Sequence, residues 1–486
     1  MKMKWIIRGA GKIGRQMVSF LKEFDETIEC FVDSDPQKNN SFVDGIIVKD
    51  EHIFNNLESD YVVCIAIAQD TLEIKENIQR DYHIPEKQVV SYLECWRDLI
   101  DTHIEELMDI NVETEEKSHS DILFGMSKGL GLGGIETWSI TMGNILRNKG
   151  YTVKYLVPFG RKDNGYDCIE TSAENMSMLG DKNYMWENVK IFSRNLPCVF
   201  FADRFNDLLP AAYICKRLFP EKIWVVSIVH GGRDENIKKH LFFNKWVDAY
   251  IGVAQRGICE KIVNFGIPRD KVFHVVCPVN RMKSFDRIYS SNQRQMEIGY
   301  AARIDFSDRD KRQDYLLSLL LMLSESPNQY RINIAGDGPS REEVEKFIGE
   351  HNLQKMVTLH GYIEREKMDA FWKKQDIFIN VSDSEGNCMA MMEAIGQGTV
   401  PVLTDVSGVR DSVVHEENGF IVDTGDMNGI AHYIDFLYHN RDMLPLMGRK
   451  GWEWINQNYN EERALECILS SCKVFYGMVI QTGGEC

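Results

Sequence analysis

The most informative feature of this chain is a pair of glutamates, Glu385 and Glu393, with seven residues between them. The segment 376–382 before them has the composition of a buried strand, and the Met- and Ala-rich segment after them predicts a helix start. Glu385 therefore falls in a strand-to-helix loop, and Glu393 about two turns along the helix. Such a loop directs backbone N–H groups outward to hold an anion, and neighbouring carboxylates can bind sugar hydroxyls. The pattern predicts a nucleotide-sugar pocket; the alternative is an acidic loop and an exposed helical glutamate.

The flanking segments favour the pocket. They are, in order, Gly-Tyr-Ala-Ala-Arg-Ile at 299–304, Lys-Arg-Gln-Asp-Tyr-Leu-Leu at 311–317, Ile-Asn-Ile-Ala-Gly-Asp-Gly-Pro at 332–339, His-Gly-Tyr at 360–362 and Gly-Gln-Gly-Thr-Val-Pro-Val at 396–402. In this order they resemble the C-terminal domain of retaining glycosyltransferases of family four, which have the GT-B fold. The resemblance covers roughly residues 121–486 and is carried by the series rather than by any one segment.

The resemblance implies roles for the residues around the two glutamates. Glu393 would bind the nucleotide ribose, and Glu385 would lie near the hydroxyls of the donor sugar. The backbone amides of Asn387, Cys388 and Met389 would contact sugar and phosphate. Because Asn387-Cys388 replaces the commoner Phe-Gly of the family, the identity of the donor sugar stays open. By the same resemblance, donor-binding residues also include Gly336 and Tyr362.

Two cations, Arg303 and Lys311, are implied as catalytic and donor-binding residues. In the family, basic side chains offset the charge of the leaving nucleoside diphosphate without a bound metal. A preorganised cation at the leaving oxygen stabilises the transition state more than the ground state. The spacing to Lys311 is about three residues longer than usual, so Arg309 or Arg312 are alternatives. No covalent nucleophile stands out, which fits the front-side attack usually proposed for the family.

The first GT-B domain contributes a glycine-rich turn and a histidine. Gly133 and Gly134 lie between a predicted strand and helix, and by resemblance their loop approaches the donor diphosphate and the acceptor. His230 follows the predicted strand 224–229, at the edge where α/β domains bind ligands. In the family a histidine here lies beside the donor sugar. The alternatives are a tight turn without a ligand and a structural histidine.

The N-terminal segment contains a second possible nucleotide site. Gly9, Gly11 and Gly14 fit G-x-G-x-x-G between a strand and a helix, and Asp33 ends the next strand. The region resembles the N-terminal Rossmann-like domains of sugar acyltransferases and of polysaccharide-biosynthesis epimerases. It predicts a site for NAD or a nucleotide-sugar; the alternative is a scaffold that has lost its ligand. No Tyr-x-x-x-Lys occurs in residues 1–100, which disfavours dehydrogenase chemistry of the short-chain type there.

Composition narrows the class of protein. The net charge of −17 over 486 residues argues against general nucleic-acid binding, and 44% hydrophobic content is ordinary for a globular protein. Twelve scattered cysteines and the absence of a recognisable signal indicate a reducing compartment. The longest apolar runs are too short to cross a bilayer. We expect a cytoplasmic protein with at most peripheral contact at the inner membrane face.

Strand-like and helical segments alternate almost throughout, which predicts an α/β fold with three Rossmann-like doubly wound units, the last two forming a GT-B pair. The predicted divisions are an N-terminal accessory domain at 1–104, a linker at 105–120, the acceptor domain at 121–289, the donor domain at 290–455 and a C-terminal helix at 456–486 that crosses back to the first GT-B domain. A fragment that starts near Ser118 is predicted to fold by itself.

The predicted function is that of a retaining glycosyltransferase that moves a sugar from a nucleotide-diphosphate sugar to a glycan or lipid-linked glycan in surface polysaccharide synthesis. No cofactor is expected for transfer, and oligomerisation is left open. The alternatives are a nucleotide-sugar oxidoreductase or epimerase centred on the N-terminal glycines, and a non-catalytic partner subunit.

Overall fold

The computed structural model describes residues 3–67, 71–108, 120–126, 129–130, 133–158, 166–171, 182–203, 208–291 and 294–472. Three sheets follow one another along these residues. Within them the strand pairs are parallel except for one hairpin at the edge of the first sheet. The α/β architecture predicted from the alternation of apolar runs and helical patterns is confirmed.

The first sheet has the strand order β3-β4-β2-β1-β5-β6. Its glycine-rich turn lies between β1 and α1, as predicted. The β3–β4 hairpin, which the sequence analysis did not predict, forms the edge. The elements are β1 (Lys4–Arg8), α1 (Lys12–Glu23), β2 (Thr27–Val32), β3 (Phe42–Val43), β4 (Ile46–Lys49), β5 (Tyr61–Ile65), α2 (Thr71–Tyr82), β6 (Val89–Ser91), α3 (Tyr92–Thr102) and α4 (Ile104–Met108).

The second sheet has the order β13-β12-β11-β10-β7-β8-β9. Its central strands are buried on both faces, as parallel strands between helical layers must be, and every residue of β10 is buried. The elements are β7 (Ile122–Gly125), α5 (Gly134–Asn148), β8 (Val153–Pro158), β9 (Cys168–Thr171), α6 (Lys182–Arg194), β10 (Cys198–Asp203), α7 (Leu209–Leu218), β11 (Ile223–Val229), α8 (Asp234–Leu241), β12 (Ala249–Gly252), α9 (Glu260–Asn264) and β13 (Val272–His274).

The third sheet has the order β16-β15-β14-β17-β18-β19. The chain first adds strands on one side of β14, as far as β16, and then on its other side, from β17 onward. Ligands of open α/β sheets bind at the carboxyl ends of the two strands at such a switch point, here β14 and β17. The elements are β14 (Met296–Ala301), α10 (Gln313–Ser324), β15 (Tyr330–Ala335), α11 (Arg341–Glu350), β16 (Val357–Gly361), α12 (Arg365–Trp372), β17 (Ile377–Asn380), α13 (Met389–Gly396), β18 (Val400–Thr404), α14 (Val409–Ser412), β19 (Phe420–Val422) and α15 (Met427–His439).

Two helices, α16 (Met443–Asn458) and α17 (Glu461–Ser470), follow the third sheet. Asn460 separates them, and its side chain accepts a hydrogen bond from the Arg463 N–H as the N-cap of α17. Helix α17 packs on α5 and β13 of the second sheet. The chain therefore returns to that domain. The rest of the predicted C-terminal helix, residues 473–486, lies outside the described residues.

The N-terminal sheet docks on the second one through aromatic side chains. Trp96 of α3 lies 5.7 Å from Phe243 and 5.6 Å from Trp246, measured between ring centroids. All three are buried. A fragment that starts near Ser118 would expose Phe243 and Trp246 to water, and its independent folding stays a prediction.

The predicted linker at 105–120 begins inside a helix. Residues 104–108 form α4, which packs on α7, and Arg217 of α7 lies 3.2 Å from the Glu105 carboxylate. Residues 109–119 lie outside the described part of the chain. No helix in the described part is long and apolar enough to span a membrane.

The guanidinium of Arg287 joins the segment before β14 to the body of the third domain. Its N–H groups donate to the carbonyl oxygens of Trp372 (3.0 Å), Gln397 (2.8 Å) and Gln375. These three carbonyls belong to the ends of two helices and to the turn before β17. Arg287 therefore satisfies backbone acceptors that helix ends leave without a partner.

We predict that Arg287→Met lowers the free energy of unfolding by about 2–3 kcal/mol, because three carbonyls lose a charged donor. Arg294→Met is the control, since Arg294 is exposed, and it should change the stability by less than about 0.5 kcal/mol. Urea unfolding followed by circular dichroism measures both. Equal stabilities of the two variants would contradict this role of Arg287.

Candidate active site between the second and third sheets

Glu385 lies in the loop between β17 and α13, as predicted, and its carboxylate is almost fully satisfied by the protein. The Nζ of Lys311 lies 2.6 Å from Oε1 and 2.7 Å from Oε2. Ser382 Oγ (2.8 Å) and Asn380 Nδ2 (3.2 Å) also donate to Oε1. The Glu385 side chain is 8% exposed. The structure thus brings together two residues that the sequence analysis placed in one site.

Lys311 keeps its proton in this environment. Burial has the largest effect and by itself would lower the pKa of Lys311, but the charge of Glu385, the hydrogen bonds to it and the contributions of Cys388 and Tyr300 together raise the pKa. Breaking such an enclosed pair leaves an uncompensated charge. The pair therefore presents a fixed ammonium group at the loop before α13.

The other predicted cations are placed differently. The Arg303 side chain is 69% exposed, and its Nη2 lies 3.4 Å from Asp305. Arg312, one alternative to Lys311, is bound to Asp314 and Asp383. Arg309, the other alternative, is exposed. Of these cations, Lys311 is the one in contact with Glu385.

Glu393 occupies a separate environment on α13. It is the fifth residue of that helix, so it lies little more than one turn along it and not two turns as predicted. Burial raises the pKa of Glu393 to about 7, and the charge of Arg365 opposes this rise while that of Asp369 adds to it. Glu385 and Glu393 therefore differ near neutral pH: the first is paired with a lysine, and the second lies close to its titration midpoint.

His230 lies at the carboxyl end of β11, facing the third domain. Its Nε2 lies 3.2 Å from Oδ1 of Asp203, and the two side chains are 8% and 3% exposed. The contact does not have hydrogen-bond geometry, and neither atom has a hydrogen-bond partner among the described residues. The ring of Trp138 meets the imidazole edge-on, with centroids 5.5 Å apart.

Asp203 was missed by the sequence analysis. It ends β10, the parallel neighbour of β11, in register with Ile228. A carboxylate at the end of the strand adjacent to that of His230 was the available signal, because carboxyl ends of neighbouring parallel strands share one edge.

The loops of Glu385 and His230 meet across the domain boundary. A Cβ on Gly386 would lie 1.7 Å from the His230 carbonyl oxygen, so only glycine allows this approach. Asn387 Nδ2 donates to the Val253 carbonyl at 2.9 Å, and Arg233 forms an ion pair with Asp310. The predicted donor residue Asn387 thus directs its side-chain amide to the neighbouring domain.

Asp411, also missed by the sequence analysis, makes a second contact across the boundary. Its carboxylate accepts hydrogen bonds from the backbone N–H groups of Gln255 (2.7 Å) and Arg256 (3.0 Å). Burial raises the pKa of Asp411, although these two bonds oppose the rise. The second and third sheets are therefore held together by bonds on both sides of Gly386.

Cys388 and Met389 lie at the start of α13. Cys388 is the N-cap residue and Met389 the first residue of the helix. The thiol of Cys388 is buried and accepts a hydrogen bond from Asn380 Nδ2 at 3.3 Å. Burial, with a smaller contribution from the charge of Glu385, raises its pKa to about 12. Cys388 is therefore an uncharged packing residue rather than a nucleophile.

The remaining predicted donor residues lie at carboxyl strand ends or at a helix start. Gly133 is the N-cap of α5 and Gly134 its first residue. Gly336 follows β15 with a φ of +137°, and a Cβ there would lie 1.9 Å from the Ala302 carbonyl oxygen. Tyr362 follows β16 and is 54% exposed.

A cleft of about 890 Å³ opens between the second and third domains. Arg365, whose charge acts on Glu393, belongs to its lining. The lining is polar and includes Thr141, Asn144, Asn280, Arg281 and Asn460, whereas Glu385, Glu393, Lys311 and His230 do not belong to it. Within the described ranges, no group of three or more His, Cys, Asp or Glu side chains is arranged to hold a metal ion.

The N-terminal glycines differ in how much space surrounds them, and the nearby Asp33 is bound by the chain itself. A Cβ on Gly11 would meet no atom within 4 Å, whereas one on Gly14 would lie 1.8 Å from the Gly9 carbonyl oxygen. Asp33 accepts hydrogen bonds from the Ala10 N–H (2.9 Å) and Lys38 Nζ (3.1 Å). Burial raises the pKa of Asp33, but these bonds and that from the Asp35 N–H lower it overall. Its acceptor sites are thus engaged by the chain itself.

Two parts of this chain match models of known protein families. Residues 283–454 match the family model for glycosyl transferases group 1. This range contains Glu385, Glu393 and both predicted catalytic cations. Residues 1–90 match a second model, described as C2185-like, N-terminal.

Similar proteins fall in the same class. A poly(ribitol-phosphate) alpha-N-acetylglucosaminyltransferase of Staphylococcus aureus (strain COL) is 24% identical over 323 residues, 63% of this chain and 64% of that relative, so the match spans just under two thirds of its length. The Anabaena protein HepE, solved in complex with UDP-glucose, has a TM-score of 0.57 and 15% identity over 75% of this chain and 100% of its own.

The crystal structure of TarM covers 97% of this chain and 99% of its own length, with a TM-score of 0.51 and 16% identity. At these identities the similarity establishes the fold alone. The structural neighbours are GT-B glycosyltransferases, so the predicted GT-B pair is confirmed.

The Lys311–Glu385 pair can be tested by a double-mutant cycle. Lys311→Met leaves a buried carboxylate without its counter-charge, and we predict a loss of about 3 kcal/mol or more in the free energy of unfolding. Lys311→Met combined with Glu385→Gln should recover most of that loss. Strictly additive single and double variants would show that the two side chains do not interact.

Proposed function

We propose that this protein is a retaining glycosyltransferase that moves a sugar from a nucleotide-diphosphate sugar to a glycan or lipid-linked glycan of a cell-surface polysaccharide. The observation that carries the proposal is the Lys311–Glu385 pair, held at the start of α13 and packed through Gly386 against the backbone of His230. A cation, a carboxylate and a histidine from two domains thereby converge beside one helix N-terminus.

The comparisons support the class of reaction. The family model covers the domain that contains Glu385 and Glu393. The Staphylococcus aureus relative is named for N-acetylglucosaminyl transfer to poly(ribitol-phosphate), and HepE was solved with UDP-glucose.

The chemistry we propose breaks the bond between the anomeric carbon and the leaving diphosphate oxygen, which keeps the electron pair. The acceptor hydroxyl attacks the same face of the sugar, and its proton passes to the departing diphosphate. Lys311 and Arg303 offset the charge that develops on the leaving group. Glu385 and the neighbouring amides position the donor sugar beside His230.

Glu393 is proposed to bind the ribose. In its ionised form the carboxylate would accept hydrogen bonds from both ribose hydroxyls, and in its neutral form it would donate one hydrogen bond and accept another. The N-terminal domain is proposed to be an accessory to this reaction that can hold a nucleotide at Gly9, Gly11 and Gly14.

A panel of UDP-, GDP-, ADP- and TDP-sugars, assayed for hydrolysis and for nucleoside diphosphate binding by calorimetry, tests the proposal. Glu393→Ala should weaken binding of sugar nucleotide and free nucleotide alike, by about 1–3 kcal/mol. The proposal would be refuted if the protein hydrolysed no sugar nucleotide in the panel and bound none of the four nucleoside diphosphates.

The same binding assay carries a pH prediction. Since the folded pKa of Glu393 is about 7, the carboxyl is mostly neutral at pH 6 and mostly ionised at pH 8. If ribose binds the ionised form, nucleotide affinity rises across this interval, and Glu393→Gln removes most of the rise. An equal rise in the variant would assign the pH dependence to another group.

Arg303→Ala should lower turnover by roughly a hundredfold, because a preorganised charge partner is lost. The exposed Arg309, changed to Ala, is the matched control and should leave turnover nearly intact. EDTA should have little effect when cations supply the leaving-group charge. Activity that EDTA abolishes and a divalent ion restores would overturn the metal-free mechanism.

A further inference from the structure

The N-terminal domain contacts the second domain at the residues that follow helix α8, in addition to the packing of α4 on α7. Arg97 Nη1 donates to the Phe242 carbonyl at 3.2 Å, and the rings of Trp96 and Phe243 meet edge-on. Trp246 Nε1 donates to Asp101 Oδ1 at 3.3 Å. Helix α3 of the N-terminal domain thus holds the segment 242–246, which follows directly on α8.

The contact is closely packed. A cavity of only about 20 Å³ remains between α8 and the N-terminal domain, room for about one water molecule. It is lined by Thr71, Ser91 and Leu93 on one side and by Glu235, Lys238, Lys239 and Phe242 on the other. The two domains therefore constrain each other like parts of one core.

The N-terminal end of the same helix holds the loop that follows His230. Asn236 Nδ2 donates to the Gly231 carbonyl at 3.1 Å. Lys261 Nζ binds both the Gly232 carbonyl and the Asp234 carboxylate at 2.8 Å. Arg233, the N-cap residue, forms the ion pair with Asp310. The position of α8 therefore determines where this loop lies.

The last turn of α8 is anchored to the strand that precedes His230. His240 Nδ1 and Ser227 Oγ are 2.8 Å apart and buried. Burial, with a smaller contribution from His230, lowers the pKa of His240 to about 3. The neutral ring thus remains a hydrogen-bond partner for Ser227 on β11, two residues before the strand ends.

From these contacts we infer that the N-terminal domain is a positioning element for His230 and Arg233, acting through α8. The expected effect on turnover rests on the proposed function, whereas the expected effect on the position of the His230 loop does not. It gives the domain a role in turnover that requires no bound nucleotide.

The test compares Trp96→Ala/Arg97→Ala with the control Phe54→Ala in the full-length protein. Phe54 is buried in the other face of the N-terminal sheet and does not belong to the docking contact. Hydrogen exchange of the peptide 230–241 is the first readout and is independent of activity. The interface variant should exchange there at least tenfold faster than wild type, and the control should not.

Kinetics are the second readout. Misplacement of His230 should lower kcat by roughly tenfold to a hundredfold. Affinity for UDP, or for whichever of the four nucleoside diphosphates binds in the panel, should change less than threefold, since Glu393 lies in the third domain. If the double variant does not fold, Arg97→Ala alone removes the bond to Phe242 and serves instead.

Unchanged exchange at 230–241 in the interface variant would overturn the inference, as would equal acceleration in the Phe54→Ala control. Faster exchange with unchanged kcat would also overturn it, because α8 would then not position the catalytic loop. Absence of transferase activity in wild type would count against the proposed function, while the exchange result would still decide the positioning.

Discussion

The approach of the Gly386 backbone to the His230 carbonyl oxygen is the constraint on which the candidate site depends. A Cβ at this position would lie 1.7 Å from that oxygen, so the two loops can meet only because the residue is glycine. The contact brings the carboxyl edge of the second sheet against that of the third. This approach makes possible the hydrogen bonds of Asn387 and Asp411 and the Arg233–Asp310 ion pair.

The fold places the two glutamates that first indicate the site in different electrostatic environments. Glu385 is enclosed with three donors, one of them the ammonium group of Lys311. Glu393 is enclosed without such a partner, so burial raises its pKa to about 7. One fold thus provides a carboxylate paired with a lysine and a carboxyl group that titrates near neutrality, with seven residues between them along the chain.

The three sheets are less independent than a series of Rossmann-like units suggests. Trp96 reaches an aromatic group in the second domain, and α17 returns from the third domain to pack on α5. In the first sheet, Asp33 is bound to the Ala10 N–H and to Lys38. A nucleotide there would have to displace Lys38 or bind beside it, whereas the docking contact with α8 needs no ligand.

The sequence by itself determined the class of fold and the location of the site along the chain. Apolar runs, glycine turns and helix starts are local features, so the loop of Glu385, the glycines before α1 and the edge position of His230 were predictable. Tertiary structure decided which side chains meet. Lys311 is 74 residues from Glu385, and the sequence favoured it but left Arg309 and Arg312 as alternatives until the fold placed Lys311 beside Glu385. Asp203 beside His230 and Trp96 against Trp246 were chosen in the same way, because such pairs depend on where distant strands and helices end, which no local pattern encodes.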